Sequence, residues 1–286
     1  MRAGAMQDKV VVMTGATSGI GRIAAGELAA QGARLVLVAR DQVRADATLA
    51  QLRERGSKAH RAHIADLSRL ADIKRVGAEI AASEPRIDVL INNAGNVFGK
   101  RELTGDGLER TFATNHVAYF LLTQALRERL IAAAPARIVM TASAAHKGCS
   151  LDFDDLQFAK GYRPQSAYGR SKLCNILFTR ELARRLAGTG VTANCLHPGF
   201  VRTNLGQRGG GVFGGLVRLA MLFAGSPERG ARTIVYLAGS PEVAQVSGGY
   251  FADCRPATPS AQAQDSAGAA RLWSATERLV GVTRRT

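Results

Sequence analysis

Six short β-branched runs, separated by helix-length amphipathic stretches, constrain this chain more than any other feature. The runs are Lys9–Met13, Arg34–Ala39, Lys58–Ile64, Ile87–Ile91, Arg137–Thr141 and Val191–Leu196. KVVVM and RLVLV are apolar nearly throughout, as strands covered on both faces must be. Between the runs lie about 12 to 25 residues of helical pattern, such as GRIAAGELAAQG, which ends on Gly32 at an expected helix stop. Repeated strand–helix–strand units of this size imply a parallel, doubly wound α/β sheet of about seven strands, with helices on both faces. At 286 residues the chain suits one such domain spanning residues 1–286, and it can bury a large core without disulfides or metals. Two regions break the rhythm. Residues 206–226 (GQRGGGVFGGLVRLAMLFAGS) are glycine-rich and then apolar, and 255–286 reads as an irregular extension with a last amphipathic helix around RLWSATERLV.

Charge and cysteine usage narrow the function classes. Lys and Arg number 38 against 23 acidic residues, a net +15. The basic residues are scattered through amphipathic segments rather than gathered into a run or an aromatic-studded stripe, so nucleic acid is not the expected partner. Cys149, Cys174, Cys195 and Cys254 lie far apart with no CxxC pair, so neither a metal site nor a redox dithiol is expected. The first residues, MRAGAMQDKVVVMTG, lack the continuous apolar stretch of a signal peptide or anchor, and a cytoplasmic location is the expectation.

Thr14–Gly21, TGATSGIG, follows the first strand and opens a helix. A glycine-rich strand-to-helix turn lets the main chain approach a pyrophosphate, and the helix start offers free N–H groups to its charge. At the end of the second strand, where a site for NAD usually has a carboxylate on the ribose, the sequence reads Val38-Ala39-Arg40. A guanidinium there clasps a 2′-phosphate that a carboxylate would repel; alternatively, Arg40 is a solvated strand-end residue and Asp41 meets the ribose. Tyr168 and Lys172 share a face of the helical stretch SAYGRSKLCNILFTRELARRL, four residues apart. An ammonium one turn away favours phenolate and lowers the phenol's pKa toward the working range. Ser143, 25 residues before Tyr168 at the end of the fifth strand, can hydrogen-bond a substrate oxygen. Thr141, two positions earlier, is its rival.

Taken together these motifs resemble the short-chain dehydrogenase/reductase superfamily from about residue 9 to 205. The spacing of Gly15, Gly19 and Gly21 is similar to that family's TGxxxGIG turn, which brings Thr17, Ser18 and Ile20 into the cofactor site. The resemblance gives Asp66-Leu67 the adenine end, and Asn92-Asn93-Ala94-Gly95 the sheet centre beside the cofactor. His197-Pro198-Gly199 with Val201 and Thr203 resembles the segment that touches the nicotinamide amide. Ser143, Tyr168 and Lys172 match the catalytic triad, with Ser143 and Tyr168 on the substrate and Lys172 also on the nicotinamide ribose. Asn115 matches the fourth member, which helps hold a water in a proton relay; read alone, it is a helix-interior polar residue satisfied by main chain.

What the resemblance implies is a Rossmann-type oxidoreductase that prefers NADP(H) over NAD(H) and acts on a small-molecule carbonyl or alcohol. LDFDDLQ, FATNH and CLHPGFVRTNL are similar to the retinol-dehydrogenase and WW-domain-oxidoreductase-like branch, which takes hydrophobic aldehydes, ketones and alcohols. Residues 206–226 fall where the family places its substrate lid; the same apolar surface suits a membrane interface, an oligomer contact or ordinary core. A catalytically idle NADP(H)-binding regulator on the same fold is the competing class.

Overall fold

The computed structural model of the chain describes residues 5–57, 59–199 and 226–281. Val201, Thr203 and all of the expected lid except Ser226 lie outside the described residues.

The described residues form one α/β domain on an eight-stranded sheet, ordered β3-β2-β1-β4-β5-β6-β7-β8. The strands are β1 (Val10–Thr14), β2 (Arg34–Ala39), β3 (Arg61–Ile64), β4 (Val89–Asn92), β5 (Ala136–Thr141), β6 (Val191–His197), β7 (Tyr250–Ala252) and β8 (Arg255–Pro256). Seven run parallel and the two-residue β8 closes the edge antiparallel to β7. The helices are α1 (Gly19–Ala30), α2 (Gln42–Arg55), α3 (Leu70–Ser83), α4 (Ala118–Ala132), α5 (Pro164–Arg185), α6 (Pro227–Gly239) and α7 (Ser266–Val280). Strand order reverses between β1 and β4, opening a crevice at the carboxyl ends of the central strands, where open α/β sheets bind their ligands.

The continuous apolar strands are explained by two cores, one on each face. Val10, Val12, Val36, Leu90 and Ile138 point into a core roofed by α3, α4, α5 and α7. Their neighbours Val11, Met13, Leu35, Ile91 and Val139 point into a second core under α1, α2 and α6. With a side-chain period of two, both sets must be apolar, so no alternation survives in the sequence.

The C-terminal region departs from the sequence reading. Residues 250–256 form the β7–β8 hairpin, and the expected last helix around RLWSATERLV begins five residues earlier, at Ser266, so that α7 runs for fifteen residues. Trp273 explains the helix's position. Its ring lies 4.9 Å from that of Phe120 and 5.5 Å from that of Phe178, with the Arg185 guanidinium stacked 4.1 Å from it. A buried aromatic of this size removes about 150–250 Å² from water, worth roughly 4–6 kcal/mol.

Candidate active site

The glycine turn is built by close approach. Gly15 has φ +68°, and a Cβ there would stand 2.7 Å from the Ala94 Cα; a Cβ on Gly21 would stand 2.1 Å from the Gly15 carbonyl oxygen. Only glycine lets β1, the turn and the loop after β4 pack this tightly. Three side chains fasten them. Thr14 Oγ1 accepts from the Asn93 and Ala94 N–H groups at 3.0 Å, Asn93 Nδ2 donates to the Gly15 carbonyl at 3.1 Å, and Thr141 Oγ1 donates to Asn93 Oδ1 at 3.1 Å. Ser18 caps α1 without a side-chain hydrogen bond, and the first turn carries no acidic residue. The leading N–H groups of α1 thus face the crevice with their positive dipole end uncompensated. They fit a dinucleotide pyrophosphate.

At the neighbouring strand ends, Ala39 is buried and Arg40 exposed. Asp41 is occupied: its carboxylate caps α2, accepting from the Arg44 N–H at 2.9 Å. Asp66 Oδ1 accepts from the Ser68 N–H and hydroxyl at 2.9 and 2.8 Å. Burial pushes this carboxyl up, but those two bonds and the nearby Arg40 and Arg110 guanidinium groups outweigh it and hold its pKa below the usual range. Leu67 is buried in the core.

Across the crevice, β5 ends at Thr141 and a 3₁₀ turn (Ala144–His146) begins with Ser143 as its cap. Pro164 starts α5, which carries Tyr168 and Lys172 toward that turn. The Ser143 side chain neighbours the Tyr168 phenol, and its hydroxyl accepts from the Ala145 N–H at 3.2 Å. The Lys172 ammonium lies 5.5 Å from the Tyr168 ring and donates to the Thr141 carbonyl at 2.9 Å. Thr141, the alternative to Ser143, is therefore spent at both ends, its hydroxyl on Asn93 and its carbonyl on Lys172.

Electrostatics here differ from the expectation. Burial raises the Tyr168 phenol, against a smaller lowering by Ser143, and burial pushes Lys172 down to about 7. The sequence shows a cation beside a phenol and predicts a depressed phenol. In the folded chain Lys172 is buried and Tyr168 partly so, and desolvation disfavours each charged form.

Asn115 occupies a π-helical turn (Ala113–Val117) between a short α-helical turn (Arg110–Phe112) and α4. Such a bulge rotates a side chain out of α-helical register. The Asn115 amide is fully engaged: Oδ1 accepts from the Asn96 N–H at 2.8 Å, and Nδ2 donates to the Asn96 carbonyl at 2.9 Å and to Ser171 Oγ at 3.0 Å. Its side chain is satisfied by the Asn96 main chain and by Ser171, and it braces the 93–96 loop.

Gly15, Thr17, Ser18, Gly19, Ile20, Gly21, Arg40, Asp66, Asn93, Ala94, Gly95, Ser143, Pro198 and Gly199 thus gather along the carboxyl ends of six successive strands, with Asn115, Tyr168 and Lys172 brought in by helices. Thr14, Asn96, Thr141 and Ser171 complete the framework without having been singled out for it. Thr14 carried a signal, since it stands inside the glycine motif at a strand's last position.

A doubly wound sheet with a dinucleotide turn at its switch point and a Ser–Tyr–Lys cluster opposite defines an oxidoreductase of the nicotinamide-binding kind. The chain belongs to the short-chain dehydrogenases, whose family model matches residues 9–209. It is 43% identical to retinol dehydrogenase 14 of Mus musculus over 301 residues, covering 98% of this chain and 88% of that protein. It is 39% identical to the WW domain-containing oxidoreductase of Pongo abelii, covering 95% and 68%. These matches put it in the retinol dehydrogenase-like branch. Among solved structures, an uncharacterized protein of Mycobacterium paratuberculosis superposes with a TM-score of 0.77 at 31% identity, covering 98% of this chain and 97% of that one. A Burkholderia cenocepacia short chain dehydrogenase in complex with NADP gives 0.70 at 26% identity, covering 91% and 100%.

Proposed function

We propose that this protein is an NADP(H)-dependent reductase or dehydrogenase of apolar carbonyl compounds or alcohols, with Ser143, Tyr168 and Lys172 as its catalytic residues and Asn115 as a positioning residue. The observation that carries the reading is the convergence of Ser143, Tyr168 and Lys172 at the carboxyl edge of the sheet opposite the glycine turn. When bound, the cofactor supplies or accepts the hydride. The Ser143 hydroxyl holds the substrate oxygen and stabilises charge that builds on it. Tyr168, kept protonated by burial, gives that oxygen its proton. Lys172 Nζ, now on the Thr141 carbonyl, is close enough to the phenol to support proton return in oxidation and to hold a ribose hydroxyl.

Three observations favour NADP(H). Arg40 is exposed at the end of β2, Ala39 leaves no carboxylate there, and the alternative ribose partner, Asp41, is committed to capping α2. The similar Burkholderia protein holds NADP. An apolar substrate is supported by the names of the relatives, which are retinol dehydrogenases.

The test is turnover of NADPH with a panel of apolar aldehydes and ketones. Tyr168→Phe removes one hydroxyl and should lower kcat by about 10²-fold or more while NADPH binding, read by fluorescence titration, persists. Near-normal turnover by Tyr168→Phe would show that the proton comes from elsewhere.

A further inference from the structure

One peptide group at the site is held from both ends by imidazoles. His146 Nδ1 lies 2.6 Å from the Ser143 carbonyl oxygen. A carbonyl only accepts, so Nδ1 carries the proton. The other nitrogen, Nε2, accepts from the Ser260 N–H at 3.1 Å and is therefore bare. His197, the last residue of β6, accepts from the Ala144 N–H through Nδ1 at 3.2 Å, so here Nδ1 is bare and the proton of the neutral ring sits on Nε2. The Ser143 carbonyl and the Ala144 N–H are the two ends of the same peptide unit. Both of its polar groups are taken, which fixes the main chain from which the Ser143 side chain projects.

We propose that His146 and His197 are positioning residues of the reaction: as neutral imidazoles of opposite tautomer they clamp the Ser143–Ala144 peptide and thereby aim the Ser143 hydroxyl. The proposal rests on the reading of Ser143 given above. It also assigns a task to the C-terminal extension, because Ser260, 114 residues away in sequence, fixes the ring that holds the serine's carbonyl. Proton uptake undoes each contact in the same way. A proton on His146 Nε2 would face the Ser260 N–H, and one on His197 Nδ1 would face the Ala144 N–H, donor against donor.

The surroundings favour the neutral rings. Burial is the main cause for both, outweighing the bond to the Ser143 carbonyl that raises His146, and Lys147 lowers both further; His146 also lowers His197, while Asp253 opposes on His197 and is itself paired with Arg229. The Tyr250 ring packs edge-on 5.3 Å from His146. Both pKa values lie below the ordinary imidazole value, so the clamp is closed at neutral pH and opens only in acid.

Two measurements test this. Long-range ¹H–¹⁵N spectra of the imidazoles in the intact protein at neutral pH, assigned with His146→Gln and His197→Gln, should show His146 protonated on Nδ1 and His197 on Nε2; either ring in the other tautomer overturns the clamp. Kinetically, His146→Phe keeps a buried ring but loses both bonds. It should lower kcat for reduction by about tenfold or more, with NADPH affinity unchanged. In a Ser143→Ala background the same change should cost less than about twofold, because its effect passes through the serine. His146→Gln, whose amide can both donate and accept but does not titrate, should restore activity and weaken the acid limb of the kcat profile. Equal losses in both backgrounds would make His146 a general structural residue and overturn the proposal alone. Near-normal turnover by Ser143→Ala would overturn the reading of Ser143, and the proposal with it. Should His146→Phe fail to fold, His197→Phe, which keeps a ring but cannot accept from the Ala144 N–H, enters the same cycle with the same two outcomes.

Discussion

Lys172→Met should disable the enzyme and stabilise the fold. The ammonium is 2% exposed, and burial brings its pKa from an ordinary 10.5 to about 7. The unfolded chain therefore binds a proton that the folded chain has released, across the window from about 7 to 10.5. A base depressed on folding makes stability rise with pH through that window. At pH 7.5 the three pH units remaining to 10.5 correspond to about 4 kcal/mol of destabilisation, at about 1.4 kcal/mol for each unit. Methionine fills similar space without a charge. It forfeits the 2.9 Å bond to the Thr141 carbonyl, worth about 1 kcal/mol because Asn175 Nδ2 still donates to that oxygen at 3.3 Å. The net expectation is about 3 kcal/mol of stabilisation, or a rise in Tm of about 6 to 12 °C at 2 to 4 °C for each kcal/mol. Thermal melts of the cofactor-free protein between pH 7 and 9.5 test it. Wild-type Tm should climb relative to the variant, and the gap should narrow as the pH rises. A variant that melts at or below the wild type at pH 7.5, with an unchanged gap at pH 9.5, would refute the argument from desolvation.

Other perturbations follow from contacts already described. Arg40→Asp should reverse the cofactor preference, weakening NADPH about tenfold or more in a titration while NADH gains; an unchanged NADPH affinity would place the 2′-phosphate elsewhere. Thr14→Val preserves shape but strands the Asn93 and Ala94 N–H groups, and should cost about 2 kcal/mol or more in denaturant melts. Trp273→Ala should cost about 3–5 kcal/mol by removing the aromatic anchor of α7. A loss under about 1 kcal/mol would mean that α7 is held by its other contacts.

Much of the framework was legible because its signals are local. A strand buried on both faces must be apolar throughout, and KVVVM and RLVLV show it without any knowledge of the partners. The glycines are legible for the same reason: Gly21 stands where a Cβ would meet the Gly15 carbonyl at 2.1 Å, and no other residue fits. Short elements escaped. Tyr250–Ala252 and Arg255–Pro256 are too brief to show a period, and their pairing is decided by β6 alongside and by the left-handed turn at Asp253 and Cys254. The full length of α7 was hidden likewise, since its helical period competes with a Pro-, Ala- and Ser-rich approach.

What the sequence could not carry was the environment of the residues it located. Tyr168 and Lys172 stand four apart in any helix, and an exposed pair would behave as cation and phenol do in water. Here α5 turns that pair inward under Tyr119, whose ring lies 5.7 Å from the ammonium, and desolvation becomes the largest influence on both. The same holds for the partners of Asn115. Its position in FATNH is plain, yet the π-helical turn and the loop at Asn96, nineteen residues away, decide what its amide can reach. His146 shows the limit most clearly. Nothing in TASAAHKG marks the histidine as more than a polar residue after a serine, because its meaning lies in the Ser260 N–H that fixes its tautomer. Local pattern therefore identifies which groups stand at the crevice. Contacts across many tens of residues decide their protonation and aim, and those contacts have no period to read.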